Sequence, residues 1–494
     1  MDGTPTVDSG AMTRGRESTP PAAPARRFHV ETLGCPKNAV DSDKVVASLL
    51  TDGLLPAKDA ASADLVVVNT CAFIESARQE SIDTVLALSD QRREGAHLVV
   101  TGCMAERYGA ELAAALPEVD AVIGFASEGG IAPRLGIAPA VSDEMPAGGD
   151  ESAVRFRPRP RGVRDLLELP RARPDRPWSY LKVAEGCDRS CAFCAIPSFR
   201  GKQRSRPPAS IVHEARELVG GGVAELVLVA QDLAWYGRDA GERDALVRLL
   251  RDLDALRSDG LARIRLLYLY PSEVRDPLVD TMLELESVVP YFDLSLQHAA
   301  PGLLRRMKRW GSGERFLSII DLIRSQCAGA TFRSSFISGF PGETEADHDE
   351  LVTFLDAAQL DWAGFFAFSR EDGTVAADLD GVVDEAIVRE RLRDLAETQE
   401  PITNAARAAL IGARIDVLID SVTEAPGDEV ASPATTGAPH RRFVQGRSAR
   451  EAPEIDGMIR WHDDRARPGE IVAVAVVDVE GPDLDAVPIA VLRR

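Results

Sequence analysis

The sequence predicts an α/β protein in three parts: an N-terminal parallel α/β domain with three spaced cysteines, a central partial (β/α)6 barrel and a small C-terminal β-barrel. Three observations carry this reading. Short apolar strands alternate with helical stretches over 28–124. The alternation resumes on a larger scale over 178–370. Beyond 412 the helical spacing stops and short strands follow one another instead. Strand–helix alternation argues a parallel sheet, whereas consecutive short strands argue a closed barrel.

Residues 1–27 are rich in Pro, Ala, Ser, Thr and Gly without periodicity and are expected to form a disordered tail. In the first domain, set at 28–135, FHVETLGC (28–35) reads as a strand with a helix over 41–53 behind it. DLVVVNTC (64–71) and HLVVTGC (97–103) are the next strands, with helices over 75–94 and 104–115, and VDAVIG (119–124) is a fourth. Residues 136–177 turn loop-like and then Pro- and Arg-rich, the composition of an interdomain linker with room for a short hairpin.

The barrel domain is set at 178–411, with strands YLKVAEG (180–186), ELVLVAQD (225–232), RIRLLYLYP (263–271), FDLSLQ (292–297), FRSSFISG (332–339) and DWAGFFAFS (361–369). Its helices space apolar residues near the helical period, as in ALVRLLRDLDALR (245–257). A long helix over 382–411 ends the domain, interrupted at Pro401 because proline lacks the N–H and crowds the preceding turn. The last domain, 412–494, holds strands RIDVLID (414–420), RFVQGRS (442–448) and EIVAVAVVDVE (470–480), with a low-complexity, disordered loop expected over 423–440.

The 494 residues carry 57 Lys+Arg and 78 Asp+Glu, a net charge of −21. That balance argues against a broad electrostatic grip on nucleic acid, which relies on cations against phosphate. An apolar fraction of 45% with 27% charged residues excludes a wholly disordered chain. The apolar runs are strand-sized, such as LVVV at 65–68, against the roughly 20 residues of a membrane span. No apolar segment of a secretory signal opens the chain, so a cytoplasmic setting is the default expectation.

Seven cysteines, an odd and sparse set, read as metal or redox chemistry rather than a disulfide framework. Cys187, Cys191 and Cys194 form EGCDRSCAFCAIP, a C-x3-C-x2-C loop just after a strand. Three such thiolates satisfy three irons of a [4Fe–4S] cube and leave the fourth open to a substrate or cofactor. Zinc is the alternative, although a closed zinc site wants a fourth ligand, and the nearest downstream, His213, lies on a predicted helix. Cys35, Cys71 and Cys103 share no tight spacing, but each ends a strand, in LGC, NTC and TGC. In a parallel sheet those carboxyl ends meet at one edge, so three thiolates could converge there. The alternative is three buried cysteines packing as small apolar residues. Cys327, in RSQCAGA, reads as a structural thiol at a helix end. The seven histidines form no ligand spacing, and the GGG at 220–222 is a helix-to-strand turn.

With Phe193 before its last cysteine, the C-x3-C-x2-C loop resembles the signature of the radical S-adenosylmethionine (SAM) enzymes. The preceding three-cysteine domain and the trailing β-barrel resemble the methylthiotransferase branch of that superfamily. The similarity spans 28–480 and rests on LGCPKN, VVVNTCAFIESA, VTGCMAERY, LKVAEGCDRSCAFCAIPSFRGKQRSR and SSFISGFPGET. It implies a radical-SAM barrel, a TRAM-like last domain and two [4Fe–4S] clusters. The cluster on Cys187, Cys191 and Cys194 would bind SAM through its open iron and cleave it reductively to a 5′-deoxyadenosyl radical. The cluster on Cys35, Cys71 and Cys103 would carry or deliver sulfur, methylated by a second SAM. A reductant such as flavodoxin or ferredoxin is implied as a partner.

Breaking an unactivated C–H bond is beyond acid–base side chains, so a cofactor must carry that step and the protein must position it. A barrel offers a dry interior and a rim of loops at its strand ends. Candidate cofactor contacts are Phe193 in the cysteine loop, Gln231 and Asp232 at the end of the second barrel strand, and Ser338, Gly339 and Glu343 where the fifth closes. Each could instead be a turn or cap residue, and Glu343 could simply support a helix N-terminus.

The methylthiotransferase branch divides between enzymes modifying an adenosine of transfer RNA and enzymes modifying an aspartate of small-subunit ribosomal protein S-twelve. LGCPKNAVDSD and EAPEIDG (451–457) resemble the ribosomal-protein side. From Ile411 to Arg494 there are ten Lys+Arg and fifteen Asp+Glu, a net of 10 − 15 = −5. Such barrels bind RNA when basic, and an acidic one suits a basic protein partner better. The expected reaction is methylthiolation of the aspartate β-carbon. The alternatives are a transfer RNA methylthiotransferase and a non-enzymatic iron–sulfur carrier.

Overall fold

The computed structural model describes residues 26–137, 156–157, 167, 169–424 and 442–493. The tail expected over 1–27 and the loop over 423–440 lie outside these residues except for 26–27 and 423–424. Much of the 136–177 linker lies outside them too.

The N-terminal domain runs β1 (Arg27–Thr32), α1 (Pro36–Thr51), β2 (Leu55–Pro56), β3 (Leu65–Thr70), α2 (Glu75–Gln91), β4 (His97–Gly102), α3 (Cys103–Ala115), β5 (Ala121–Ile123), α4 (Ile131–Arg134) and β6 (Phe156–Arg157). Its strands form one parallel sheet in the order β2-β1-β3-β4-β5-β6. The central strand LVVVNT is buried throughout, as expected of a parallel sheet covered on both faces. Helix α1 starts at Pro36, earlier than the expected 41, because proline is preorganised for the first helical turn. The short β6, inside the stretch read as linker, joins the sheet in parallel beside β5 and forms no hairpin with it.

The central domain runs β7 (Trp178–Lys182), β8 (Ala184–Glu185), α5 (Ile196–Phe199), β9 (Arg204–Ser205), α6 (Pro208–Gly220), β10 (Glu225–Val229), α7 (Ala245–Asp254), β11 (Arg263–Leu266) and α8 (Asp276–Glu284). It continues through β12 (Tyr291–Gln297), α9 (Pro301–Arg306), α10 (Gly313–Gln326), β13 (Thr331–Ser338), α11 (Glu345–Ala358), β14 (Trp362–Ala367) and α12 (Glu385–Ala408). The parallel trios β7-β10-β11 and β12-β13-β14 are joined by the bridges Ile264–Val288 and Leu269–Leu294, giving an open, partial barrel. The expected strand over 180–186 splits: β7 stays in the barrel, whereas β8 leaves it to pair antiparallel with β9. Helix α12 continues through Pro401. Gln399 donates to the Leu360 carbonyl at 2.7 Å and Thr403 to that of Asp361 at 3.0 Å, pinning the helix on both sides. Tertiary packing thus outweighs the roughly 3 kcal/mol proline penalty.

The last domain is a closed barrel, β15 (Arg414–Glu424), β16 (Arg442–Arg447), β17 (Ile459–His462), β18 (Ile471–Glu480) and β19 (Asp483–Arg493), in the order β15-β16-β17-β19-β18. The sequence pattern missed β17, which is four residues long, and β19, which contains Pro488. Register shifts in the β18–β19 pairing accommodate that proline.

Residues 447–456 of this domain close the amino end of the central barrel. The first residue of every barrel strand touches them. Arg447 stands 5.5 Å from the Trp178 ring and bonds Glu225 at 2.9 Å, while Arg263 donates to its carbonyl at 2.6 Å. Tyr291 donates to Asp456 at 2.6 Å, Arg450 reaches Thr331 at 3.5 Å, and the Trp362 indole donates to the Arg450 carbonyl at 2.9 Å. Ala452 from this segment and Val40 from α1 join Tyr180, Val227, Val229 and Leu267 in the barrel's inner core. Glu451 is buried here, the side chain of half-buried Asp456 is covered, and Asp420 is paired with Arg447. The net charge of −5 therefore overstates the acidity this domain offers a partner. Among the described residues no helix is long and apolar enough to cross a membrane.

Candidate cysteine centres at the domain junction

Parallel pairing puts the carboxyl ends of neighbouring β1, β3 and β4 at one edge of the N-terminal sheet. Cys71 directly follows β3, Cys103 opens α3 directly after β4, and Cys35 caps the start of α1 three residues beyond β1. The first strand is shorter than expected, so Cys35 belongs to the loop rather than the strand. A Cβ on Gly34 would lie 2.9 Å from the Cys71 sulfur, a measure of how closely these two segments meet. Gly102 has φ +90°, and a Cβ there would lie 2.3 Å from the Asn69 Oδ1. Only glycine makes that strand-to-helix turn.

The three thiols feel one another electrostatically. Burial, with Cys35 adding to it, pushes Cys71 up, and burial pushes Cys103 up to about 12 despite nearby Arg200. Burial also opposes ionisation of Cys35, but Lys37 and Arg200 outweigh it and hold that thiol below its usual range. Asn38 ties the site together, donating to the carbonyls of Leu33 at 2.9 Å and Thr70 at 3.0 Å.

The second cysteine loop is framed by β8 and β9. The Cys187 amide donates to the Gly201 carbonyl at 3.1 Å, and the Ala192 amide to that of Met307 at 2.9 Å. Burial pushes Cys187 up to about 11 and Cys194 up to about 12. N–H donors aim at these sulfurs: the Arg189 amide at Cys187 and Arg309 at Cys191, both at 3.4 Å. Hydrogen bonds to sulfur are a normal feature of thiolate-ligated iron–sulfur clusters. Among the described residues no group of three His, Cys, Asp or Glu side chains is set to hold a single metal ion.

Gln231 and Asp232 lie just past β10, at the barrel rim beside this loop. Gln231 donates to Glu185 at 2.7 Å, and Asp232 accepts from Arg189 at 2.7 Å. The remaining oxygens of both residues, and Nε of Arg309, are buried without a partner. Such polar atoms suit a zwitterionic ligand of the SAM type. Phe193 packs partly buried against the barrel core. Glu343 folds back onto its own turn, accepting from the amides of Gly339 and Phe340, from Ser338 at 3.4 Å, and pairing with Arg391 at 3.2 Å. The helix behind it is capped instead by Thr344 and Asp347. Cys327 caps the end of α10, and His213 is exposed.

The two cysteine sites adjoin across the domain junction. Arg200, six residues beyond Cys194, reaches Cys103 Sγ with Nε at 3.3 Å and Nη2 at 3.1 Å. It also meets Asn38 at 2.6 Å, Glu185 at 2.8 Å and Asp41 at 3.3 Å. Lys182 bonds Asp41 and, at 2.5 Å, Glu185. Nearby Glu128 is pushed up to about 8 by burial and by Asp41, and Lys182 and Arg200 face the two carboxylates of Asp41 and Glu185. On another side Glu371 of the barrel domain accepts from Arg107 at 2.7 Å and from Arg78. The sequence reading gave Lys37, Asn38, Asp41, Lys182, Glu185 and Arg200 no role. They sit inside or beside LGCPKN and the cysteine-loop motif, but nothing local marks which charged residues are buried.

Three domain families match in chain order: Uncharacterized protein family UPF0004 over 27–124, the Radical SAM superfamily over 181–355 and the TRAM domain over 411–489. The fold and its cysteine loop are thus those of a radical SAM protein, a class that uses an iron–sulfur centre and SAM. The chain is 44% identical over 499 residues to the ribosomal protein uS12 methylthiotransferase RimO of Cutibacterium acnes, covering 93% of this chain and 97% of that protein. It is 40% identical over 476 residues to the same-named protein of a Nocardioides species, covering 93% and 96%. The chain belongs to the RimO family of methylthiotransferases. Among solved structures, the radical SAM methyltransferase TsrM of Kitasatospora setae is similar with a TM-score of 0.46 and 16% identity, over 71% of this chain and 74% of that one.

Proposed function

We propose that this protein methylthiolates the β-carbon of an aspartate in ribosomal protein uS12, with [4Fe–4S] clusters on Cys35, Cys71 and Cys103 and on Cys187, Cys191 and Cys194. The observation that carries the proposal is the adjacency of the two triads: the arginine six residues beyond Cys194 bonds the sulfur of Cys103. A reaction that breaks a C–H bond at one centre and installs sulfur from the other needs that adjacency. When bound, SAM and the clusters supply the radical and sulfur chemistry. The chain orients them: Gln231, Asp232 and Arg309 offer polar contacts at the rim, and the junction network fixes the spacing of the two sites. Glu343 acts as a turn-holding residue in this reading, and Ser338 and Gly339 shape the same turn. A reductant such as flavodoxin or ferredoxin supplies electrons.

Mass spectrometry of uS12 after anaerobic reaction tests the proposal; a gain on transfer RNA with none on the protein would refute it. Cys191→Ala should abolish 5′-deoxyadenosine formation, whereas Cys71→Ala should spare it and abolish sulfur insertion. A chain that consumes no SAM would instead be a cluster carrier. Two clusters predict about eight irons per chain.

A further inference from the structure

Lys37 is the second residue of α1, two positions beyond Cys35, and is only 7% exposed. Of the other buried cations, Lys182, Arg200, Arg265 and Arg447 each meet a carboxylate, whereas Arg309 bonds Cys191 and a carbonyl and Arg263 bonds two carbonyls. Among the described residues Lys37 meets none. Its ammonium lies 3.5 Å from the centroid of the Tyr268 ring. A cation–π contact of this kind only partly offsets the loss of water around a buried charge. Tyr268 sits just past β11, on the same barrel rim as Gln231 and Asp232, and takes φ +65°. Its amide is held by Asp293 at 2.9 Å and its carbonyl by the Leu233 amide at 3.1 Å. Left-handed backbone at a bulky residue is strained and persists only where its surroundings enforce it. The fold therefore holds an aromatic platform between Cys35 and the barrel rim, with a cation on it that neighbours the Cys35 thiol and meets no carboxylate.

We propose that Lys37 is the binding subsite for the side-chain carboxylate of the substrate aspartate. This rests on the reading that the substrate is an aspartate of uS12. That carboxylate is bonded directly to the β-carbon. An ion pair to Lys37 therefore fixes the reacting carbon one bond from a held group, between the two cysteine sites. A neutral nucleobase would gain no ion pair from this cation, so the same residue selects for an acidic side chain.

The test is a binding cycle on anaerobically reconstituted holoenzyme, with purified uS12 and its target Asp→Asn variant as probes. The wild-type enzyme should bind the Asn variant about ten- to hundredfold more weakly than native uS12, the range for a hydrogen bond to a charged group. Lys37→Met should weaken binding of native uS12 by a similar factor and leave binding of the Asn variant unchanged. Lys37→Arg should restore part of the preference. Equal binding of both probes by wild type would overturn the proposal whatever the variants do. So would an Asp preference that persists in Lys37→Met. Loss of iron from Lys37→Met that Lys37→Arg restores would assign the charge to the Cys35 thiolate, and would also overturn it. Failure of wild type to bind or modify native uS12 at all would instead refute the proposed function.

Discussion

Replacing Asp41 with asparagine keeps the side-chain volume and removes one of the two carboxylates facing Lys182 and Arg200. Asp41, Lys182 and Arg200 are all buried, so no water compensates the cations left behind. A unit charge 3.3 Å from Arg200, at an effective dielectric of about 20, interacts by about 5 kcal/mol. Measurements on buried pairs broken from one side give a similar figure, roughly 3–5 kcal/mol. Asp41 belongs to the N-terminal domain and its partners to the barrel, so the loss should appear as opening of the junction. Hydrogen exchange at the amides of α1, β7 and β8 reads that opening directly. A loss of 3–5 kcal/mol corresponds to exchange roughly two to four powers of ten faster. Adding Lys182→Met removes the surplus cation and should recover roughly 1–3 kcal/mol relative to additivity. Exchange in Asp41→Asn within about threefold of wild type, or strict additivity in the double variant, would refute this account of the junction.

Glu225 lies between Arg265 at 2.8 Å and Arg447 at 2.9 Å. Burial opposes its charge, but Arg447, Arg265 and Arg263 outweigh that and hold its carboxyl at about 2, against an ordinary value of 4.5. The depressed value means this stabilisation, roughly 3 kcal/mol, is present above pH 4.5 and fades as pH falls towards 2. Melting temperatures between pH 5 and 3 should therefore fall less steeply in Glu225→Gln than in wild type; identical slopes would contradict the assignment. Gly102→Ala should incur backbone strain of roughly 1–3 kcal/mol and displace Cys103 as well. Gly53→Ala, at φ +84° with nothing within 4 Å of the added Cβ, incurs strain alone. Iron content after reconstitution should fall by about half in Gly102→Ala and stay whole in Gly53→Ala; full iron in Gly102→Ala would refute the role given to that turn.

The strand-end rule explains why three cysteines without a tight motif lie at one sheet edge: parallel topology turns a sequence spacing of 36 and 32 residues into one edge. The cysteine loop was legible from spacing alone. Arg200 was not, because its meaning depends on a contact with Cys103, 97 positions away. Lys37 was invisible for a related reason: a lysine beside a cysteine is ordinarily solvated, and only docking of the barrel rim buries it. Pro401 misled because propensity is local, whereas the hydrogen bonds of Gln399 and Thr403 that hold its helix are not. Glu343 was legible as a turn residue but not as the partner of Arg391. β19 was missed because its pairing partner, rather than its own composition, makes it a strand.

The contact between residues 447–456 and the head of every barrel strand makes the C-terminal domain a stopper for the catalytic barrel as well as an appendage to it. Exchanging it for the equivalent domain of a nucleic-acid-modifying relative would then be a poor way to retarget the enzyme. A graft lacking Arg447 and Asp456 would strip Glu225 and Tyr291 of their side-chain partners and loosen the barrel before any change of substrate could register. A chimera made at 414 should fail through folding; one that keeps 442–462 from the host retains the contacts of 447–456 with the barrel. Barrel integrity thus depends on one short stretch of a different domain, which limits how freely evolution or an engineer can change that stretch.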